Sequence, residues 1–142
     1  MWRGLSHLPR GTYIDVGAAH PVNDNVTRLF YEKGWSGINI EPDPEHFALL
    51  VQQRKRDINL NAGAGARRGA QTFFRIPETG FSTFDPDQAA IWKGEGLACE
   101  ELRRPIGTLD EMIATAGLGD IHFLKIDVEG YERQVLEGLD LR

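Results

Sequence analysis

Between residues 12 and 61 a β-forming run gives way to a helical period twice over, and a third β-forming run closes the stretch. No other feature restricts the fold as strongly. The first run holds Tyr13, Ile14 and Val16 and stops at Gly17. A helix is predicted over 25–33, where Val26, Leu29 and Phe30 fall at i, i+3 and i+4 and Gly34 suits the position after the last turn. Residues 37–41 form the second run through Ile38 and Ile40. Asp43-Pro44 then supplies an N-cap and a proline at the first helical position, ahead of a stripe of Phe47, Leu50 and Val51. Residues 57–61, with Ile58 and Leu60, read as the third strand. Strands alternating with helices imply a mostly parallel sheet with helices on both faces. In such a sheet the carboxyl ends of the strands share one edge, and ligands bind there where the strand order reverses.

The remainder is less regular. Residues 72–76 look like a strand outside the alternation. Residues 77–107 carry no clear period and hold Pro77, Gly80, Pro86, Gly94, Gly96 and Pro105. They read as one long loop, which in a compact domain is usually functional or mobile. Thr108 caps a helix striped by Leu109, Met112 and Ile113 that ends near Gly117. Residues 121–128 are the most apolar strand, and Tyr131, Val135 and Leu139 mark a last helix. At 142 residues the whole chain, 1–142, reads as a single domain.

No apolar run approaches the ~18–20 residues of a membrane span, so no membrane partner is expected. Residues 1–10 lack the apolar core of a secretory signal. A single cysteine, Cys99, excludes an internal disulfide and fits a reducing, cytoplasmic setting. The net charge of -5 argues against binding nucleic-acid phosphates. The basic groups Arg54–Lys55–Arg56 and Arg67–Arg68 read as a solvated helix end and loop.

Three acidic residues stand at strand ends: Asp15, Glu41 and Asp127. A parallel sheet would turn all three toward one crevice. Asp15 precedes a turn, Gly17-Ala18-Ala19, small enough for a ligand to approach the backbone. Glu41 ends the second strand, where a carboxylate accepts the hydroxyls of a ribose. The turn has no G-x-G-x-x-G. Ala19, His20 and Pro21 stand where a pyrophosphate would want glycines and free amides, and Pro21 has no N–H. That speaks against NAD or FAD and for a nucleoside without phosphates, of which S-adenosylmethionine is one. From these residues alone it stays open whether Asp15 and Glu41 only cap and solvate turns.

Five stretches occur in order: Asp15-Val16-Gly17-Ala18; Gly34-Trp35-Ser36-Gly37-Ile38-Asn39-Ile40-Glu41-Pro42; Phe81-Ser82-Thr83-Phe84; Thr108-Leu109-Asp110; and Leu124-Lys125-Ile126-Asp127-Val128-Glu129-Gly130-Tyr131-Glu132. Together they resemble the FkbM family of S-adenosylmethionine-dependent methyltransferases. The resemblance implies a Rossmann-like class I methyltransferase sheet. It also implies methylation of a hydroxyl on a small-molecule or carbohydrate acceptor, a sugar or natural product. By resemblance Asp15, Gly17 and Ala18 lie along the methionine part of the cofactor, and Glu41 holds the ribose. Pro42 and Asp43 border the adenine, with Asn61 and Ala62 at its edge, and Asp127 sits by the transferring methyl. Family members continue into further strands. The sheet is therefore expected to stop after the fourth core strand and its helix: either the sequence is a fragment, or a partner chain completes the sheet, as in a homo-oligomer, or the fold is unusually small. The alternative is a domain that binds cofactor without turnover, or half of an oligomeric enzyme.

Methyl transfer to oxygen is an in-line displacement that depends mostly on positioning, helped by a base. Asp127, Glu129 and His20 are the candidates. Asp127 leads, because a carboxylate in a partly dry crevice is a stronger base. Glu129 has a competing role at the N-terminus of the last helix. His20 has one as a loop histidine bonded to backbone. The site set contains no metal ligand; a cation held by Asp127, Glu129 and Asp110 is the competing reading. Phe81, Phe84 and Trp92 form either a lid or acceptor wall, or a satellite core.

Overall fold

The computed structural model describes residues 2–140. The elements in chain order are α1 (Trp2–Leu5), β1 (Thr12–Val16), α2 (Arg28–Glu32), β2 (Ser36–Ile40), α3 (Pro44–Gln53), β3 (Ile58–Leu60), β4 (Gly63–Ala64), β5 (Gly69–Arg75), β6 (Ser82–Thr83), α4 (Pro86–Gly94), β7 (Glu100–Gly107), α5 (Leu109–Ala116), β8 (Phe123–Ile126) and α6 (Glu132–Glu137). One four-stranded sheet has the order β3-β2-β1-β8, and its pairs are all parallel. The order runs outward from β1 through β2 to β3, then jumps to the other side of β1 for β8. The reversal therefore falls between β1 and β8, and the ligand crevice of such a sheet belongs at their carboxyl ends. No helix among the described residues is long and apolar enough to cross a membrane.

Side chains alternate across each strand. Ile14, Val16, Ile38 and Ile40 face one side, where they pack with Ala64, Phe73, Phe84, Ile106, Leu109, Tyr131 and Val135. The opposite side has Tyr13, Phe30 and Trp35 under α1 and α2, and a polar cluster around Asp15, Asn39 and Asp57. Helices thus cover both faces, as expected.

The predicted loop at 77–107 is a correction. It contains β6, the helix α4 and the eight-residue strand β7. Together with β4 and β5, β6 and β7 build a second sheet of order β4-β7-β5-β6, in which β5 and β7 pair antiparallel over seven positions. The helix was signalled by Asp85-Pro86, since Asp85 accepts from the Asp87 and Gln88 amides. The strand was hidden because only Leu102 and Ile106 of Glu-Glu-Leu-Arg-Arg-Pro-Ile-Gly are apolar, and one face of it is solvated.

The two expected stripes are also narrower than drawn. Val26 and Leu29 are 43% and 41% exposed and only Phe30 of that set is buried; Val51 is 48% exposed beside buried Leu50. The α2 helix begins late because residues 20–27 are held in a polar turn. Asn25 Nδ2 donates to the Ala18 and His20 carbonyls, and Asn25 Oδ1 accepts from Arg28 N at 2.8 Å. The last expectations fared better: Thr108 and Glu111 form a reciprocal capping box on α5, and Gly117 closes it in the left-handed conformation. Strand β8 is half-buried throughout because, among the described residues, it lies at a sheet edge.

Candidate active site

At the carboxyl ends of β1, β2 and β8 lies a crevice of about 520 Å³, counting its open mouth. Its floor is Val16, Gly17, Ala19, Ile40, Glu41 and Pro42 from the parallel sheet, with Asp127 and Val128 after β8. The second sheet makes the opposite wall through Gly63, Ala64, Phe73, Thr83 and Phe84. His46 closes one side from the first turn of α3.

The floor is shaped by close backbone packing. Gly17 has φ +72°, and a Cβ there would lie 2.0 Å from the Asp127 carbonyl oxygen. Only glycine lets the two strand ends meet this closely. Glu41 is 4% exposed. Its carboxylate accepts from Ala19 N at 2.7 Å and Asp43 N at 2.8 Å. Burial pushes its pKa up to about 7 in spite of those two amides.

The predicted residues separate into two groups. Gly17, Glu41, Pro42 and Asp127 line the crevice. Asp15 does not; it is fully buried on the polar face, where Thr27 Oγ1 donates to it at 2.7 Å and Lys125 Nζ lies 3.0 Å away. Burial raises the Asp15 pKa, opposed by the Lys125 charge. Ala18 is buried beneath the turn. Asp43 caps α3 through the Glu45 amide and is held by Arg75 Nε at 2.7 Å. Asn61 and Ala62 border a separate groove between β3 and α5, and Asn61 Nδ2 reaches back to the Glu41 and Pro42 carbonyls.

Among the base candidates, Asp127 stands at the mouth with its side chain 63% exposed. The partly dry setting expected for it is not what surrounds it. Glu129 has φ +51° and lies outside the crevice lining. Burial is the main cause raising its pKa, with Asp127 and Glu132 adding to it. The acid that serves the start of α6 is Glu132, which accepts from Val128 N and Gly130 N at 3.1 Å. His20 also lies off the crevice, its Nδ1 accepting from Val22 N and Asn23 N. The proposed cation set does not assemble: Asp110 accepts the Asp140 amide, and among the described residues no group of three His, Cys, Asp or Glu side chains sits close enough to hold a metal ion. Phe84 lines the crevice and packs on Phe73 and Tyr131, whereas Phe81 stacks on Trp92 at 5.7 Å.

Sequence reasoning missed His46, Thr83 and Lys125. His46 sits three residues after the N-cap Asp43, on the turn next to Glu41; burial lowers its pKa, opposed by Asp43. Thr83 Oγ1 donates to the Glu129 carbonyl at 2.8 Å and so fastens the second sheet to the loop after β8. Lys125 had a signal, a cation in the middle of the most apolar strand.

A parallel sheet with this reversal and helices on both faces defines an α/β domain whose crevice lies at the carboxyl ends of its strands. Residues 15–142 match the methyltransferase FkbM domain. The chain belongs to the FkbM methyltransferase family. It is 31% identical over 170 aligned residues to the 31-O-demethyl-FK506 methyltransferase FkbM of Streptomyces tacrolimicus. That alignment covers 96% of this chain and 62% of the relative, so the chain spans less than two thirds of the relative's length. The fold is similar to the crystal structure of methyltransferase FkbM from Methylobacillus flagellatus KT, with a TM-score of 0.52 at 19% identity, covering 94% of this chain and 31% of that one.

Proposed function

We propose that the chain binds S-adenosylmethionine in this crevice and transfers its methyl group to a hydroxyl of a sugar or natural product. The observation that carries this is the lining: two carboxylates, Glu41 and Asp127, with His46, Ser82 and Thr83 among small and apolar residues, and no lysine or arginine among the described lining residues. That donor set suits a cationic, phosphate-free nucleoside and leaves a pyrophosphate unneutralised. When bound, S-adenosylmethionine supplies an electrophilic methyl group. Glu41 accepts the ribose hydroxyls. Val16, Ile40, Phe73 and Phe84 exclude water from one side. Asp127, exposed at the mouth, takes the proton of the acceptor hydroxyl.

Methylation of an oxygen also fits the relative from Streptomyces tacrolimicus, which is named for the 31-O-demethyl-FK506 that it methylates. The exposed setting of Asp127 favours a second reading, in which the chain binds cofactor and does not turn over by itself. Calorimetric titration with S-adenosylmethionine, its demethylated product and NAD tests the cofactor assignment. Binding of the first two and not NAD is expected; NAD binding alone would overturn it. A fixed acceptor panel with radiolabelled cofactor then separates turnover from binding.

A further inference from the structure

Resting on that cofactor reading, we propose that Lys125 is a positioning residue: it holds the turn at Gly17–Ala19 in its cofactor-binding form from behind, without itself lining the crevice. The turn is an unfavourable piece of backbone. Gly17 has φ +72° and Ala19, which carries a Cβ, has φ +53°. A non-glycine residue in the left-handed region persists only where its surroundings over-determine it.

Here nearly every polar backbone group of the turn is engaged. Gly17 N and Ala18 N both donate to the Ile40 carbonyl, at 3.0 and 3.3 Å. Ala19 N donates to Glu41 Oε2, and the Ala18 carbonyl accepts from Asn25 Nδ2 at 3.0 Å. The Gly17 carbonyl accepts from Lys125 Nζ at 2.7 Å. Lys125 reaches this turn from β8, across the point where the strand order reverses.

The ammonium is fixed in turn. Lys125 is the register partner of Asp15 in the β1–β8 pair, and its Nζ lies 3.0 Å from Asp15 Oδ1. Thr27 Oγ1 donates to the other Asp15 oxygen, and the buried Arg54 guanidinium donates to Thr27 and to the Pro21 carbonyl. A chain of polar contacts thus runs behind the crevice from the end of α3 to β8. Its last link sets the direction of the Gly17 peptide, which lines the crevice. The Lys125 side chain is 15% exposed and its Nζ lies 3.9 Å from Asp127 Oδ2, so it also faces the carboxylate at the mouth from the rear.

The test separates positioning from charge balance. Lys125→Met alone leaves Asp15 buried without its cation and is expected to lower both stability and cofactor affinity. Asp15→Asn with Lys125→Met removes both charges and is expected to recover most of the thermal stability. Because nothing then holds the Gly17 carbonyl, the double variant should still bind S-adenosylmethionine at least tenfold more weakly than the wild type. The demethylated product should show the same loss. Lys125→Arg, which keeps a donor there, should recover part of the affinity. If the stable double variant binds like the wild type, Lys125 only neutralises Asp15 and the inference is overturned. Failure of the wild type to bind either ligand would instead overturn the cofactor reading itself.

Discussion

The two faces of the parallel sheet are built from the same strands and held by different physics. On one face Ile14, Val16, Ile38 and Ile40 lie against the second sheet, α5 and α6, all 1% exposed or less. On the other, alternate residues of those strands form a buried polar cluster. Asp57 accepts from the Tyr13 hydroxyl at 2.6 Å, from Gly37 N at 3.0 Å and from Asn39 Nδ2 at 2.9 Å, and Arg54 donates to Tyr13 and Thr27. The desolvated Tyr13 hydroxyl, beside the Asp57 charge, has its pKa raised and stays a donor. The apolar face stabilises by area and tolerates changes that keep volume. The polar face stabilises only while each group keeps its partner. In exchange it fixes directions, and the loop it fixes is the one at the crevice.

The largest effect is expected where that polar cluster loses a charge. Arg54→Ala leaves Asp57 short of its cation and Asn25 and Thr27 short of a donor. It should cost about 3–5 kcal/mol by denaturant titration. Adding Asp57→Asn should recover part of the loss, which no second polar change can do on the apolar face. Recovery of nothing would mean that the cluster acts by packing alone. Next comes a cavity on the apolar side: Ile38→Ala should cost about 3 kcal/mol, independent of pH and salt.

The crevice gives a pH test that sets the two ligand states apart. The folded pKa of Glu41, about 7, lies above the ordinary 4.5. Its contribution to stability is therefore fully present below about pH 4.5 and is lost as pH rises through about 7, by about 3 kcal/mol. Glu41→Gln should flatten that part of the stability profile. Cofactor affinity should move the other way, tightening as Glu41 ionises, with proton release seen when calorimetry is repeated in buffers of different ionisation enthalpy. A profile unchanged by Glu41→Gln would remove Glu41 from that role. The smallest effects belong to two of the three positions misplaced in the core, Val26 and Val51. Val26→Ser and Val51→Ser should each shift stability by less than about 0.5 kcal/mol, and a larger loss in thermal melting would restore the wider stripes.

Much of this was legible because its causes are local. The caps at Asp43 and Thr108 satisfy amides two and three residues away. Gly17 ends its strand through its own φ, and the alternation in β1 and β2 says that one face is apolar. Glu41 and Asp127 follow from strand ends once the sheet is parallel. Their neighbours across the crevice do not, since Thr83 and Phe84 belong with a second sheet in which half the residues of the inner strand β7 are charged.

By itself, then, the sequence determined the alternating layout, the helix starts at Asp43 and Thr108, the glycine turn and the order of motifs that marks the family, all set by contacts within a few residues. Tertiary structure decided which alternate residues became a polar core, that Asp15 turns away from the crevice toward Lys125, that His46 enters it, and that residues 77–107 fold into its far wall. The reason is range. A cap or a left-handed turn is settled by the chain's own covalent neighbourhood. The partner of a buried charge lies 110 residues away in the case of Asp15 and Lys125, and only the closed sheet brings the two together.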